Sequence, residues 1–588
     1  MRGPNARRAY RLAPRKSPRV GWAPHGHPLL PLPMPRALIT AGTIYTGDPP
    51  RPGATAMVVD RGRITWTGPA TEVPRPVPRE RIDLGDDAVV IPGLVDSHQH
   101  LLDSQLLTGF ADLRGVRSPE EAAERLRTHA ASQPEGWITG WGYDAAETDG
   151  GRRPDGRLLD TVSADRPVIV MESSFHQGAG NSAALAAIGF GRDTPQSFGG
   201  EMERDRRGEP TGILWERAFS VLAWAGRKAE LERLGPSSTE RTLEACRTLL
   251  AQGITHVGEA LASRDDIERL QNESLPLGFT LMPASGNGAF ATPWDALDGP
   301  RSGQGTPHMG IGHLKLFSDG GERCALSIPL SRSLRQTTAI VRSAISDRDP
   351  TSLRVLTTAK ATVTPSGFQS GTLHYAPGKM ADIMSAALQR GFTVAVHALG
   401  NLGVRSALDA YQEARSRTGI DVAGCRIEHA MFIDDADLER AADLGLRFSM
   451  QPGHAVAYVR TLRITKIERF MDPVAMRKVI DAGIPVAISS DGPTAPGSAL
   501  DNMRGAWDRI AVDGKPIRPD LAITKTEALR AATAGGAEAC GVAEVKGSLT
   551  NGKQADFAVL NGDPFDPATR VRQTWVAGAK AWEQPAPA

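Results

Sequence analysis

Eight short apolar runs recur along the middle of this chain of 588 residues, and stretches with helical periodicity separate them. This alternation is typical of parallel β-sheets, because neighbouring parallel strands need a crossover connection, which is usually a helix. Eight such units with right-handed crossovers close into a (β/α)8 TIM barrel, an α/β fold in which every strand ends on the same face. The predicted barrel strands cover residues 94–100, 254–259, 278–283, 311–317, 393–397, 426–429, 446–451 and 484–491.

Two histidines end the first predicted strand. Successive side chains of a strand point to opposite faces, so His98 and His100 point the same way. A neutral imidazole is the commonest metal ligand in proteins, and the pair therefore suggests a metal site. Two histidines at this spacing are a weak signal by themselves, so the inference depends on the other strand ends.

Ligand-type residues also end four of the other predicted strands. Alternation places each of them on the same face as the residue two positions earlier, which we expect to face the barrel interior. Burial lowers the pKa of a lysine amine and makes it nucleophilic, also towards CO2. Because these strand ends share the ligand-binding face of a barrel, the sequence predicts a metal centre there. The predicted inward pairs are His313 with Lys315, Ala395 with His397, Ile427 with His429, and Ser489 with Asp491.

Short β-rich segments lie near both ends of the chain. Each is too short to bury one face of a sheet alone, so residues 37–90 and 540–588 are predicted to form one small β-sandwich. The barrel then occupies residues 91–539. The interval from about residue 101 to 234 is too long for one loop and contains its own apolar strand at 168–171, which predicts an inserted subdomain after barrel strand 1.

Two further segments are predicted to lack regular structure. Residues 1–36 are rich in Arg and Pro and contain no acidic residue, a composition that predicts a disordered extension. Translation from Met34 instead of Met1 would remove most of this extension. Residues 331–377, rich in Ser, Thr and Arg, are predicted to form a lid or a flexible loop between the fourth and fifth barrel strands.

The composition argues against several classes of partner. The net charge is +1 and 23% of the residues are charged, so no global field attracts nucleic acid or an anionic membrane. No apolar run approaches the ~20 residues of a membrane span. The four cysteines lie far apart without a CxxC pair, which favours reduced thiols and a cytoplasmic protein. We expect a small-molecule partner, no nucleic acid and no membrane, and a homodimer stays open.

Several short motifs follow one another along the chain. They are residues 92–100 (PGLVDSHQH), 136–142 (GWITGWG), 315–320 (KLFSDG), 396–400 (VHALG), 426–430 (RIEHA), 490–491, 547–549 and 555–556. This ordered set resembles the amidohydrolase superfamily, in the branch that includes N-substituted formamide deformylases and many metal-dependent hydrolases. The resemblance extends from about Ala37 to the C-terminus.

The resemblance implies an enzyme that hydrolyses an amide-like, non-peptide C–N bond of a small molecule by attack of a metal-bound hydroxide. It implies Asp491 as the catalytic residue, which moves protons. Two Zn2+ ions are expected, with Mn2+, Fe2+ or Co2+ as alternatives. The ligands that it implies are His98, His100 and Asp491 for the first ion, carboxylated Lys315 as a bridge, and His397 and His429 for the second ion.

Further residues are expected around this centre. Asp96 lies on the same strand face as His98 and is a candidate to orient an imidazole. A segment of the insertion resembles one of the family's substrate-contacting segments, although Ala179 stands where an aromatic residue is usual. The predicted substrate-binding residues are Trp141, His176 and Asn181.

Two other functions stay open. A mononuclear enzyme of the same superfamily would deaminate a cyclic amidine, but a bridging Lys315 suits two metals better. A non-catalytic binding protein on the same fold would have lost ligands, and every expected ligand position is present here. The sequence does not identify the substrate, because formamides, other amides, ureas, carbamates and lactams present similar carbonyl groups.

Overall fold

The computed structural model describes residues 35–585, apart from 149–150, 197, 287, 289, 322, 347–352, 354–361, 366 and 495–496. The predicted disordered extension, residues 1–36, lies almost wholly outside the described residues. Among the described residues, none of the helices combines the length and apolar character that a membrane span requires. All four cysteines are described, and their thiols are free.

The strands of the described residues form six sheets. In chain order they are β1 (Ala37–Thr40), β2 (Thr43–Ile44), β3 (Ala56–Asp60), β4 (Arg63–Gly68), β5 (Glu80–Asp83), β6 (Val89–Pro92), β7 (Leu94–Gln99), β8 (Ala111–Asp112), β9 (Ile138–Tyr143), β10 (Val168–Glu172), β11 (Gln177–Gly180), β12 (Gly200–Arg204), β13 (Pro210–Glu216), β14 (Ile254–Ala262), β15 (Gly278–Pro283), β16 (Met309–Ile311), β17 (Leu314–Phe317), β18 (Leu326–Ile328), β19 (Thr362–Thr364), β20 (Gly367–Ser370), β21 (Val394–Ala398), β22 (Arg426–His429), β23 (Arg447–Met450), β24 (Val486–Ile488), β25 (Phe557–Leu560), β26 (Val571–Val576) and β27 (Ala579–Glu583).

Helices connect most of these strands. In chain order the α-helices are α1 (Leu101–Leu107), α2 (Pro119–Ser132), α3 (Gly156–Asp160), α4 (Ser182–Ala187), α5 (Arg217–Leu234), α6 (Ser237–Leu250), α7 (Arg264–Leu270), α8 (Leu330–Ser346), α9 (Lys379–Gln389), α10 (Asn401–Thr418), α11 (Asp435–Asp443), α12 (Pro452–Ala457), α13 (Val459–Ile464), α14 (Met476–Asp481), α15 (Ala499–Trp507), α16 (Lys525–Arg530) and α17 (Gly536–Ala539).

Two parallel sheets occupy the middle of the chain, with the strand orders β16-β15-β14-β7 and β17-β21-β22-β23-β24. Every predicted barrel strand overlaps a strand of these sheets, and the predicted strand 311–317 contains parts of both β16 and β17. At one junction between the sheets, the Asp491 amide donates to the His98 carbonyl over 2.9 Å. At the other, residues 312–313 connect β16 directly to β17, and the Gly312 amide continues the pairing with β15 by donating to the Leu281 carbonyl over 2.7 Å. The fold is therefore α/β and TIM-barrel-like.

The outer face of these strands is covered by amphipathic helices. Helix α9 buries Met380, Ile383, Met384 and Ala387, which recur at helical spacing. These side chains pack in the same core as Val394 of strand β21. Apolar residues at such spacing form one stripe of a helix, and burying this stripe on the sheet removes it from water.

Strands from both ends of the chain share one sheet, in the order β2-β6-β25-β26-β27, and β4-β3-β1-β5 form a second sheet. Strand β25 pairs antiparallel with β6, with Phe557 opposite Pro92. The apolar faces of both sheets meet in one core, where Met57 of the second sheet packs with Phe557 and Trp575 of the first. The N-terminal and C-terminal segments are therefore held together by main-chain pairing and by a common core.

The interval between β7 and α5 forms a six-stranded sheet in the order β12-β13-β11-β10-β9-β8. The apolar run predicted at 168–171 is the buried strand β10 inside this sheet. Helices α2 to α4 belong to the same interval.

The segment predicted as a lid or flexible loop is partly regular, so a flexible loop is wrong for these described residues, whereas a lid stays a prediction. Residues Leu330–Ser346 form helix α8, and β18, β20 and β19 form a small antiparallel sheet. The helix forms because Ile340 and Ala344 bury one face, and such packing outweighs the unfavourable helix propensity of Ser and Thr.

Candidate metal centre

A cavity of about 870 Å³ opens at the carboxyl ends of the parallel strands, on the side of the inserted sheet. It contains most of the residues that sequence reasoning placed in a metal centre. Lys315 is not part of the cavity lining, but its buried amine contacts one of these residues, with Nζ 3.2 Å from His98 Nε2. The predicted ligands that line the cavity are His98, His100, His397, His429 and Asp491.

His98, His100 and Asp491 converge at one point. Asp491 Oδ1 lies 3.3 Å from His98 Nε2 and 3.1 Å from His100 Nε2. Burial opposes ionisation, yet the hydrogen bonds from His100 and His98 hold the pKa of Asp491 well below its usual range. One carboxylate and two imidazoles in contact form a ligand set of the kind that divalent transition metals accept.

His397 and His429 lie beside this group, with ring centroids 4.5 Å apart. Burial lowers the pKa of both imidazoles well below the usual range, so they are neutral at physiological pH. Nε2 of each ring is buried and makes no hydrogen bond within the described part of the chain. A buried polar atom without a partner is unfavourable unless a ligand satisfies it, and these two nitrogens therefore fit a metal ion.

Lys315 completes the group. Burial lowers the pKa of its amine to about 8, which increases the fraction of the neutral, nucleophilic form. The side chain lies between His98 and the face of Phe317, whose ring centroid is 5.0 Å from Nζ.

The backbone at two strand ends is strained. His429, Ala430 and Asp491 have φ angles of 73°, 43° and 53°. Residues other than glycine rarely adopt this left-handed region, and such strain concentrates at functional sites. The main-chain hydrogen bond from Asp491 to His98 helps to hold the carboxylate beside the first strand.

The orientation of His98 depends on a residue that sequence reasoning missed. Glu428 Oε2 lies 2.5 Å from His98 Nδ1, and Arg426 donates two hydrogen bonds of 2.8 Å to the same carboxylate. Burial opposes ionisation, but Arg426 and His98 hold the pKa of Glu428 well below its usual range. The ionised carboxylate therefore accepts a hydrogen bond from Nδ1–H of His98, and Nε2 is left available on the side of the cavity.

The structure gives Asp96 other hydrogen-bond partners than the predicted imidazole. Its carboxylate accepts from the Ser490 amide, over 3.0 Å, from the Ser490 hydroxyl, over 2.5 Å, and from the main-chain amide of His98, over 3.4 Å. It therefore fixes the residue that precedes Asp491.

The predicted inward pair of β22 was also wrong. Arg426 donates to the Ser97 carbonyl, and Glu428 reaches His98, so these two residues point towards β7. Ile427 packs outward in the core that contains the helices. His429 follows the inward Glu428 directly, and its positive φ lets the imidazole reach the cavity although the alternation predicts the opposite face for it.

The three predicted substrate-binding residues separate in the structure. His176 lines the cavity, with Nδ1 2.7 Å from Glu216 Oε2. Asn181 is fully buried and caps helix α4, where its side chain accepts from the Ala184 amide. Trp141 lies outside the cavity lining, and its ring stacks against the Arg114 guanidinium at 4.7 Å. We therefore correct the predicted roles of Asn181 and Trp141.

Other cavity residues were not predicted. His454 Nε2 lies 3.6 Å from Asp491 Oδ2 and 3.2 Å from Thr494 Oγ1. His454 belongs to the short helix α12, so alternation along a strand gives no signal for it. Much of the remaining wall is aromatic and includes Tyr143, Trp215, Trp224, Phe290, Phe317 and Tyr458.

Comparison with known proteins identifies the family of the chain. The model of the amidohydrolase family matches residues 80–580. The chain belongs to the amidohydrolase family. As a member it is a hydrolase of carbon–nitrogen bonds other than peptide bonds.

Individual relatives span almost the whole chain of this amidohydrolase. An N-substituted formamide deformylase of Arthrobacter pascens is 29% identical over 562 residues, which cover 93% of this chain and 98% of the relative. Among solved structures, an uncharacterized metal-dependent hydrolase from Pyrococcus horikoshii OT3 superimposes with a TM-score of 0.65 at 24% identity and covers 90% of this chain and 98% of its own. One from Pyrococcus furiosus has a TM-score of 0.63 at 24% identity and covers 90% and 100%. The two structures support the fold.

Proposed function

We propose that this amidohydrolase cleaves an amide-like, non-peptide C–N bond of a small molecule, and that two divalent metal ions, expected to be Zn2+, are bound at the strand ends. The observation that carries the proposal is the convergence of His98, His100 and Asp491, beside two buried imidazole nitrogens that make no hydrogen bond to any described residue. The name of the Arthrobacter relative, an N-substituted formamide deformylase, supports substituted formamides as the first substrates to test.

The ligand assignment follows the contacts. His98, His100 and Asp491 would hold one ion, and His397 and His429 would hold the other through their Nε2 atoms. When bound, the ions would polarise the substrate carbonyl and lower the pKa of a water molecule. A polarised carbonyl and a water molecule of lowered pKa would permit hydrolysis at neutral pH.

Lys315 would bridge the two ions as a carbamate. Its amine nitrogen would attack the carbon of CO2, form a C–N bond and lose a proton. The low pKa that burial imposes on the amine favours this reaction. The resulting carboxylate oxygens would supply the negative charge that a two-metal centre needs between its ions.

Asp491 is our candidate for moving the proton. Water attacks the carbonyl carbon of the substrate while Asp491 accepts the proton that the water loses. The same carboxylate then passes this proton to the departing nitrogen, so that an amine and a carboxylic acid leave. The main-chain hydrogen bond from the Asp491 amide to the His98 carbonyl holds the carboxylate at the cavity wall.

We also propose how the chain divides. Residues 91–539 would form a closed (β/α)8 barrel, and residues 37–90 and 540–588 a composite β-sandwich. The hydrogen bond from Asp491 to His98 at one junction between the parallel sheets and the direct connection of β16 to β17 at the other support closure, and the pairing of β6 with β25 supports the sandwich. The sheet of β8 to β13 would be the inserted subdomain, and its His176 and Trp215 line the cavity.

A substrate screen tests the proposed reaction. Metal-loaded protein is incubated with N-substituted formamides, longer amides, ureas and lactams, and the released amine is quantified. We expect turnover of at least one formamide or amide and its loss in Asp491→Asn. Turnover restricted to cyclic amidines, with about one metal per chain and no effect of Lys315→Ala, would instead favour the mononuclear deaminase.

A further inference from the structure

Helix α8 exposes a stripe of large aliphatic side chains. Its members follow one another by four, seven and four residues, and these intervals place them on one face of a helix. Ile340 and Ala344 are buried against the protein on the neighbouring side of the helix, about 60–100° around its axis from Val341. Large exposed apolar patches on soluble proteins mark interaction surfaces. The stripe consists of Leu330, Leu334, Val341 and Ile345, whose exposed fractions are 50%, 59%, 37% and 73%.

Positive charge flanks the stripe. Arg332, Arg335 and Arg342 of α8 are exposed, and the helix contains no acidic residue. The neighbouring segment adds Lys466 and Arg469, and its Glu468 is largely buried, with 16% of its side chain exposed. The two segments touch, because Gln336 Nε2 donates to the Thr465 carbonyl over 2.8 Å. Within the described residues of α8 and of 465–469, the exposed charges beside the stripe are therefore mainly positive.

This combination of groups argues against a second copy of the chain as the partner. A symmetric dimer would place the same stripe on both subunits face to face, with the arginines of one copy near those of the other and no acidic group on α8 to compensate them. Four aliphatic residues also fall far short of the roughly 20–30 residues per side of a standard interface. A helix with an apolar stripe and basic flanks instead fits the boundary between the headgroups and acyl chains of anionic lipids.

The helix lies next to the wall of the cavity that holds the proposed metal centre. Thr465, whose carbonyl accepts the hydrogen bond from Gln336, is one of the residues that line this cavity. Leu326 of β18, the strand that precedes α8, lines it as well. A surface bound to α8 would lie close to the cavity wall.

We propose that α8 docks the protein on an anionic lipid surface, with the four aliphatic side chains inserted among acyl chains and the arginines at the headgroups. This docking brings the largely apolar cavity next to a source of apolar substrates. The overall charge of +1 conceals the property, because the basic residues of this surface are balanced by acidic residues elsewhere in the chain.

Cosedimentation of the full-length protein with lipid vesicles tests the proposal. Vesicles of phosphatidylcholine with phosphatidylserine are compared with vesicles of phosphatidylcholine alone. We expect binding to the anionic vesicles that weakens as salt is raised. Each basic residue near an anionic surface contributes about fivefold to binding, so Arg335→Gln with Arg342→Gln should lower the partition coefficient more than about tenfold.

Two further variants complete the design. Leu334→Ser with Ile345→Ser should also lower binding more than about tenfold, because less apolar surface inserts. Ile420→Ser, which changes a residue with 37% exposure elsewhere on the surface, should bind like the wild type. Thermal unfolding establishes that the variants fold. If the apolar variant does not fold, the charge variant alone decides the test.

Three results would overturn the proposal. The first is absence of wild-type binding to the anionic vesicles. The second is equal binding by the wild type and by the folded charge variant. The third is a wild-type dimer in sedimentation velocity that the apolar variant dissociates, since a second copy would then cover the stripe.

Discussion

Glu428 Oε2 contacts Nδ1 of His98 at 2.5 Å, and both side chains are fully buried. Carboxylates that hydrogen-bond a metal-ligating histidine fix its tautomer and its ring orientation. Arg426 in turn compensates the charge of Glu428 through two hydrogen bonds. The orientation of a proposed ligand on β7 therefore depends on a charged pair on β22, the sixth predicted barrel strand.

Replacing this pair should weaken metal binding without unfolding the protein. In Arg426→Met with Glu428→Leu, apolar side chains fill the space of the ions, an exchange that is often neutral for stability. His98 loses its carboxylate, so metal affinity should fall about 10- to 100-fold. Competition with a chelator measures the affinity. Glu428→Ala alone should lower the free energy of unfolding by about 3–5 kcal/mol, because it leaves Arg426 buried and unpaired. An unchanged metal affinity in the folded double variant would contradict the assigned role.

Lys315 should carry a carbamate in the active enzyme. Protein prepared with bicarbonate and metal should gain the mass of one CO2 per chain in native mass spectrometry. Lys315→Ala should lack this adduct, and its kcat/KM should fall more than about 100-fold. This loss exceeds the about 10- to 100-fold loss that is typical when a residue that only contacts a metal ligand is removed. A fully active wild type without the adduct would exclude the carbamate.

Asn181 should affect stability and leave substrate binding unchanged. Its side chain accepts from the amides of Val168 and Ala184 and donates to the carbonyls of Ser163 and Arg166. Asn181→Ala removes a helix cap and leaves buried groups unsatisfied, so the free energy of unfolding should fall by about 1–3 kcal/mol.

The same experiment on His176 provides the contrast. His176→Ala should lower kcat/KM, because the imidazole lines the cavity, and it should also lower the free energy of unfolding, because the buried Glu216 carboxylate loses an ion-pair partner. Denaturant titration gives the free energy of unfolding of both variants, and steady-state kinetics give their kcat/KM. A large rise in KM for Asn181→Ala at unchanged stability would favour the assignment from the sequence over the structure.

Aromatic residues of the cavity should select bulky substrates. Trp224 lines the cavity and is held by a hydrogen bond of 2.7 Å from Nε1 to the Gly286 carbonyl. Aromatic pairs contribute about 0.5–1.5 kcal/mol beyond the area that they bury. Trp224→Ala should therefore raise KM about three- to tenfold for an amide with an aromatic substituent and leave KM for a methyl-substituted amide unchanged.

Trp141→Ala is the matched control for this prediction. Its ring stacks on Arg114 outside the cavity lining, so its KM values should equal those of the wild type. Equal effects of both substitutions on the aromatic substrate would show that Trp224 does not contact it.

Much of the fold could be predicted because the signals were local. Buried parallel strands appear in a sequence as apolar runs, and their order fixes which strand ends share a face. This reasoning placed His98, His100, His397 and Asp491 at one cavity. It also placed an apolar strand at 168–171, where β10 lies.

The errors have physical causes that one sequence does not show. The alternation rule assigned Ile427 to the inward face of β22, but Arg426 and Glu428 occupy that face and contact Ser97 and His98 of the other parallel sheet. The cavity position of His429 depends on a positive φ, which side-chain alternation cannot predict. The role of Asp96 likewise depends on a contact with a distant segment, because its carboxylate accepts a hydrogen bond from Ser490.

Metal content measured together with hydrolysis tests the central claim most directly. Protein freed of metal with a chelator and extensive dialysis is reloaded with Zn2+, and the bound metal is counted by mass spectrometry alongside amine release from a substituted formamide. We predict two ions per chain, recovery of activity only on reloading, and loss of at least one ion in His98→Ala and in His397→Ala. Full hydrolytic activity in metal-free protein, or in either variant, would contradict the metal centre proposed for these strand ends.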